Sequence, residues 1–102
     1  MNQAQMMAQV KKMQAEMEKA QQDLASTAVT GVAGGSAVEI TMTCDYRVTG
    51  VKVAKEAVDP DDVETLEDLL VVAMNDAVTK AQETSSTRMS SVTGGLRIPG
   101  LM

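Results

Sequence analysis

The chain has 102 residues and a formal net charge of −5, enough for one packed domain but too little for two independent cores. It contains no Phe, Trp or His, one Tyr and nine Met. That composition excludes an aromatic core, a platform for stacking single-stranded bases, and imidazole-based acid–base or metal chemistry.

Residues 3–25 are predicted to form one helix, because Gln, Ala, Met, Lys and Glu dominate and Gly and Pro are absent. Met6, Val10, Met13, Met17, Ala20 and Leu24 recur at alternating spacings of four and three. This narrow seam is a coiled-coil pattern, not the broad stripe of a helix lying on a sheet. At about 1.5 Å per residue the helix is roughly 34 Å long, too long to sit entirely over a small sheet. Met, Val, Leu, Ile and Ala must supply the core, and such side chains fill gaps adaptably. A short chain without aromatic anchors gains by burying surface against a second copy of itself. No N-terminal basic patch leads into an apolar run of signal-peptide length.

From Thr27 onward β-branched residues and Gly take over. Thr27–Val32 reads as a first strand and Gly34-Gly35-Ser36 as a turn. Val38, Ile40, Met42 and Cys44 alternate with Glu39, Thr41 and Thr43, which predicts a half-buried strand. Cys44 is therefore expected to be a small buried hydrophobe. As the lone cysteine it forms no internal disulfide and suits a reducing cytosol. Asp45-Tyr46 is the next turn and Arg47–Ala54 the third strand, with Val51 and Val53 on one face. Val48 falls out of that alternation, and Gly50 marks a candidate bulge. Short connections imply an antiparallel meander.

Asp59-Pro60-Asp61-Asp62 predicts a helix start, with Asp59 as N-cap and Pro60 in the first helical position. Val63, Leu66, Leu69, Leu70, Ala73, Met74, Ala77 and Ala81 form a wide apolar face expected to cover the sheet over residues 60–89. The longest apolar stretch, Leu69–Met74, is far too short to span a bilayer. Gly94-Gly95-Leu96-Arg97-Ile98-Pro99-Gly100 reads as part of an extended tail, residues 92–102. The expected architecture is one α+β domain over residues 1–102, a three-stranded antiparallel sheet between long N- and C-terminal helices. One helix covers one sheet face, so an edge strand and the Met seam stay unpaired. Both are association surfaces, and pairing two copies through them satisfies both.

Charge is unevenly spread. Residues 1–55 sum to +1, residues 69–102 to +1, and the run from Glu56 to Asp68 carries −7 with no base. An acidic total is compatible with nucleic acid provided that run points away from the lysines. No catalytic constellation emerges. Gly31–Ser36 lacks the Gly-Lys-Ser/Thr ending of a phosphate loop and joins two strands. Val63 and Glu64 stand where a calcium loop starting at Asp59 needs an oxygen ligand and a glycine, so that acidic run reads as capping and a solvated face. No activating base accompanies Cys44.

The layout as a whole resembles the YbaB/EbfC family of nucleoid-associated proteins. The resemblance is carried by the Met/Gln/Lys-rich first helix, three short strands, Leu66-Glu67-Asp68-Leu69 through Asn75-Asp76-Ala77, Met89-Ser90-Ser91-Val92-Thr93-Gly94-Gly95-Leu96, and Ile98-Pro99-Gly100-Leu101. It implies a non-enzymatic, cofactor-free cytoplasmic homodimer of the nucleoid whose fused sheets carry helices like the arms of tweezers. The dimer would bind duplex DNA and affect nucleoid organisation and gene expression. It points to the first and last helices for DNA contact, where charge and position select Lys11, Lys12, Lys19, Lys80 and Arg88, with Arg97 in the tail. Met6, Val10, Met13, Met17 and Leu24 are the expected dimer interface. No membrane or small-molecule partner is expected. The alternative is a coiled-coil scaffold or adaptor whose Met-rich helix grips a protein partner.

Overall fold

Asn2 opens the first helix with a reciprocal cap. Its side chain accepts from the Gln5 N–H at 2.8 Å, and its own N–H donates to Gln5 Oε1 at 3.2 Å. In the computed structural model, which describes residues 2–93, helix α1 spans Gln3–Ala25 and strands β1, β2 and β3 span Ala28–Ala33, Val38–Thr43 and Val48–Val53. A short 3-10 turn occupies Lys55–Ala57, and helix α2 spans Val63–Thr93. The order is thus α-β-β-β-α, as the sequence predicts.

The strands form an antiparallel meander in the order β1-β2-β3. Gly34, Gly35 and Ser36 all take positive φ in the first turn, and Tyr46 does so in the second. The ladder slips between Thr41, opposite Gly50, and Met42, opposite Val48. Thr49 is therefore an extra residue beside Gly50. This bulge explains the broken alternation, because it returns Val48 to the face shared by Val51 and Val53.

The core lies where α2 crosses β1 and β2. Val38, Ile40, Met42 and Cys44 are buried from β2 and its end, Ala33 from β1, and Ala73, Ala77 and Ala81 from α2. Leu66, Leu69, Leu70 and Val78 pack around them. Three alanines on one helix face permit a close approach, and Gly31 sets its limit. A Cβ there would overlap the Ala73 carbonyl oxygen and the Ala77 amide nitrogen. Gly31 is required because the helix backbone rests on it.

Three expectations about α2 are corrected. Asp59 is not its N-cap: Asp59 Oδ1 accepts from the Asp61 N–H, closing a separate turn. Asp62 caps instead, accepting from the Thr65 N–H at 3.3 Å and the Thr65 hydroxyl at 2.6 Å. The helix accordingly starts at Val63, and it runs through Thr93, past the expected end at residue 89 and through the first two residues of the expected extended tail. Nor does it cover the whole sheet. All six residues of β3 are exposed, and Val63 and Met74 on α2 are exposed too.

Candidate nucleic-acid interface

Helix α1 leaves the body of the protein as an arm. Of its residues only Ala20 and Leu24 are buried. Its root is held by backbone as well as side chains, since the Cys44 N–H donates to the Leu24 carbonyl at 3.1 Å and the Thr27 carbonyl at 2.9 Å. The molecule is correspondingly elongated, with extents of 70 × 27 × 16 Å.

The expected interface seam divides along this arm. Leu24 belongs to the protomer's own core. Met13 is half-buried, while Met6, Val10 and Met17 are exposed. Met6, Met7 and Val10 line a shallow groove with Gln3, Lys11 and Gln14.

Lys11, Lys12 and Lys19 are all exposed, and among the described residues none of them forms an ion pair. Lys12 and Lys19 are seven residues apart, two helical turns, and so share a face about 10 Å apart along the axis. Lys11 adjoins them. At about 100° per residue Lys11 lies roughly opposite Ala20 and Leu24, while Lys12 and Lys19 lie about a quarter to a third of a turn round the helix from them.

The other two cations on helices are engaged. Arg88 donates from Nη2 to Asp23 Oδ2 at 3.0 Å, linking α2 to the end of α1. Beside that pair, Leu24, Thr27, Thr84 and Thr87 line a cleft between the helices. Lys80 Nζ lies 3.0 Å from Asp76 Oδ2 and donates to the Thr30 carbonyl at 2.9 Å. Asp76 also accepts from the Val32 N–H at 2.9 Å. The Val32 amide first, then the Lys80 ammonium, holds the Asp76 carboxyl below the ordinary aspartate range. Arg97 lies outside the described residues. The structure therefore gathers Lys11, Lys12 and Lys19 on one arm and sets Lys80 apart at the sheet edge.

Asp76 and Asp23 were not picked out by sequence. Asp76-x-x-x-Lys80 is visible as an i,i+4 pair, but nothing in it announces a strand edge as its second partner. The acidic run lies elsewhere. Asp59, Asp61, Asp62, Glu64, Glu67 and Asp68 are exposed around the start of α2. Asp62 precedes Arg88 by a helical length of about 39 Å, so the carboxylates stand far from the root of the lysine-bearing arm. Among the described residues no helix is long and apolar enough to cross a membrane.

Comparison with known proteins agrees with this layout. The model of the YbaB/EbfC DNA-binding family matches residues 1–96. A nucleoid-associated protein of Chloroflexus aurantiacus is 48% identical over 97 residues, covering 95% of this chain and 97% of its own length. One from Pelotomaculum thermopropionicum is 41% identical over 100 residues, covering 98% and 95%. Among solved structures, an uncharacterized protein from Helicobacter pylori superposes with a TM-score of 0.74 at 18% identity, covering 95% of this chain and 99% of that one. That likeness concerns the fold.

Proposed function

Because this chain belongs to the YbaB/EbfC DNA-binding family, we propose that it binds double-stranded DNA as a homodimer, as one DNA-binding unit, with little sequence readout. Through that binding it contributes to nucleoid organisation and gene regulation. The relatives' description as nucleoid-associated proteins supports the cellular setting. The observation that carries the reading is the set Lys11, Lys12 and Lys19, exposed and, among the described residues, without ion pairs, on an arm whose root lies far from the acidic run.

Ammonium groups on flexible stems neutralise phosphates without reading bases. Three per protomer is few, so two copies are needed for useful affinity. Six such contacts give a slope of log K against log salt on the order of −5. Lys80 and Arg88 add to this set only by leaving Asp76 and Asp23, and Arg97 is a further contributor from the tail. Met6, Val10, Met13 and Met17 join the copies along the arm, with Leu24 anchoring the arm's root. The bare β3 strand offers a second joining surface where the two sheets fuse.

The test is a mobility-shift titration on random-sequence duplex over a salt series, with light scattering for mass. The variant K11E/K12E/K19E should keep the wild-type fold and dimer mass but lose at least tenfold in affinity and most of the salt slope. Unchanged titration by that folded variant overturns the assignment. The exposed Met6, Met7 and Val10 groove equally suits a protein partner. Stoichiometric capture of such a partner, with no duplex retained at moderate salt, favours the adaptor reading.

A further inference from the structure

A β-strand at the border of a sheet exposes a row of backbone N–H and C=O groups that template a further strand. This sheet has two borders, β1 and β3, and they are treated differently. On β1 the Val32 N–H and the Thr30 carbonyl face outward, away from β2. A new strand would offer an acceptor to the first and a donor to the second. The side chains of α2 already do so: Asp76 Oδ2 accepts from Val32 N–H at 2.9 Å, and Lys80 Nζ donates to the Thr30 carbonyl at 2.9 Å. The two capping groups are themselves 3.0 Å apart, so each fixes the other. Gly31 makes this possible, since α2 lies close enough there for the short Asp76 side chain to reach the strand.

On β3, among the described residues, no side chain bonds to the backbone. Every β3 residue is exposed, and Val48, Val51 and Val53 form an apolar row. On the helical wheel Asp76 and Lys80 lie roughly opposite Val71 and Met74. With the first pair at the β1 border, the second pair lies on the side of α2 away from β1, and both Val71 and Met74 are exposed.

We propose that Asp76 and Lys80 seal the β1 border, so that a second copy of this chain extends the sheet across β3 alone and assembly closes at two. The proposal rests on the homodimer reading above. Its logic is symmetry: β3 against β3 is a self-complementary two-fold contact that leaves only sealed borders outside. Pairing β1 with β3 is head-to-tail and does not close.

Light scattering of the wild type and of the double variant D76A/K80A, each over a hundredfold concentration range, tests it. The wild type should hold twice the protomer mass throughout. The unsealed variant should grow in mass with concentration, and D76N, which keeps an acceptor for Val32, should stay dimeric. Hydrogen exchange of the wild type supplies a readout that survives misfolding of the variant. The Val32 amide should be protected like the amides of the β1–β2 ladder. A folded variant that remains a dimer, or fast exchange at Val32 in the wild type, overturns the seal. A wild type that is monomeric defeats the homodimer reading instead. In that case growth of the variant from monomers still supports the seal, and its absence overturns that as well.

Discussion

Where α2 crosses β1 the two backbones nearly touch, with Gly31 against Ala73 and Ala77 and no room for one added carbon. Along α1 the opposite holds, since only Ala20 and Leu24 are buried and the remainder of the arm is exposed or half-buried. The first region is specified by exclusion of volume and the second by charge and reach. On the proposed reading, stability and nucleic-acid contact are therefore housed in separate parts of the chain. A change in one should leave the other nearly untouched, unless it falls at the joint between them.

The sharpest way to break this separation is to force the close approach apart. Gly31→Val places branched carbon against helix backbone that cannot yield as a flexible side chain would. The expected loss exceeds the usual overpacking cost of about 1–3 kcal/mol, read as a collapse of the urea midpoint. A well-folded Gly31→Val protein with a near-native midpoint would show that α2 is free to lift from β1. Leu24→Ala comes next, because Leu24 is the arm's main apolar anchor in the core. Truncation of a buried Leu costs about 2–5 kcal/mol. As Leu24 sits at the joint, this variant should also loosen the arm, raising hydrogen exchange along α1 more than in the β2 amides. Equal change in both would mean that arm and core unfold as one unit.

How far the sequence could be read follows the same division. The bounds of α1 were legible in its unbroken run of helix formers, β2 in the alternation of Val38, Ile40 and Met42, and the bulge in the phase error between Val48 and Val51. These are local signals. The start of α2 was not, because Asp59 and Asp62 both precede a helical run and either can cap it. The turn that Asp59 closes with Asp61 decides between them. Nor was the nakedness of β3 legible, since Val51 and Val53 have the pattern of core residues. Whether a helix reaches them depends on where Gly31 lets α2 settle. For the candidate site, Lys11, Lys12 and Lys19 are equally visible as charges in sequence and in structure. Lys80 and Arg88 looked equivalent to them, yet their partners Thr30 and Asp23 lie 50 and 65 residues away in the chain.

The smallest effect concerns the flank of the core, where Asp76 joins helix to strand. Its carboxyl is held below the ordinary aspartate value of about 3.9, chiefly by the Val32 amide and then by Lys80. A group whose folded pKa lies below its unfolded one binds fewer protons when folded. Its stabilising contribution is then complete above the unfolded value and is lost as pH falls through the folded one. The window is thus acidic, beginning near pH 4 and extending below it. Asp76 is one-third exposed and its partner Lys80 more so, so solvent screening keeps the contribution modest. Comparing urea midpoints of wild type and D76N from neutral pH downward isolates it from the other carboxylates. The wild type should lead by a constant margin at neutral pH, and that margin should shrink only in acid below about pH 4. A margin that persists unchanged through that window would show that the advantage of Asp over Asn at this position does not depend on the charge of the carboxylate.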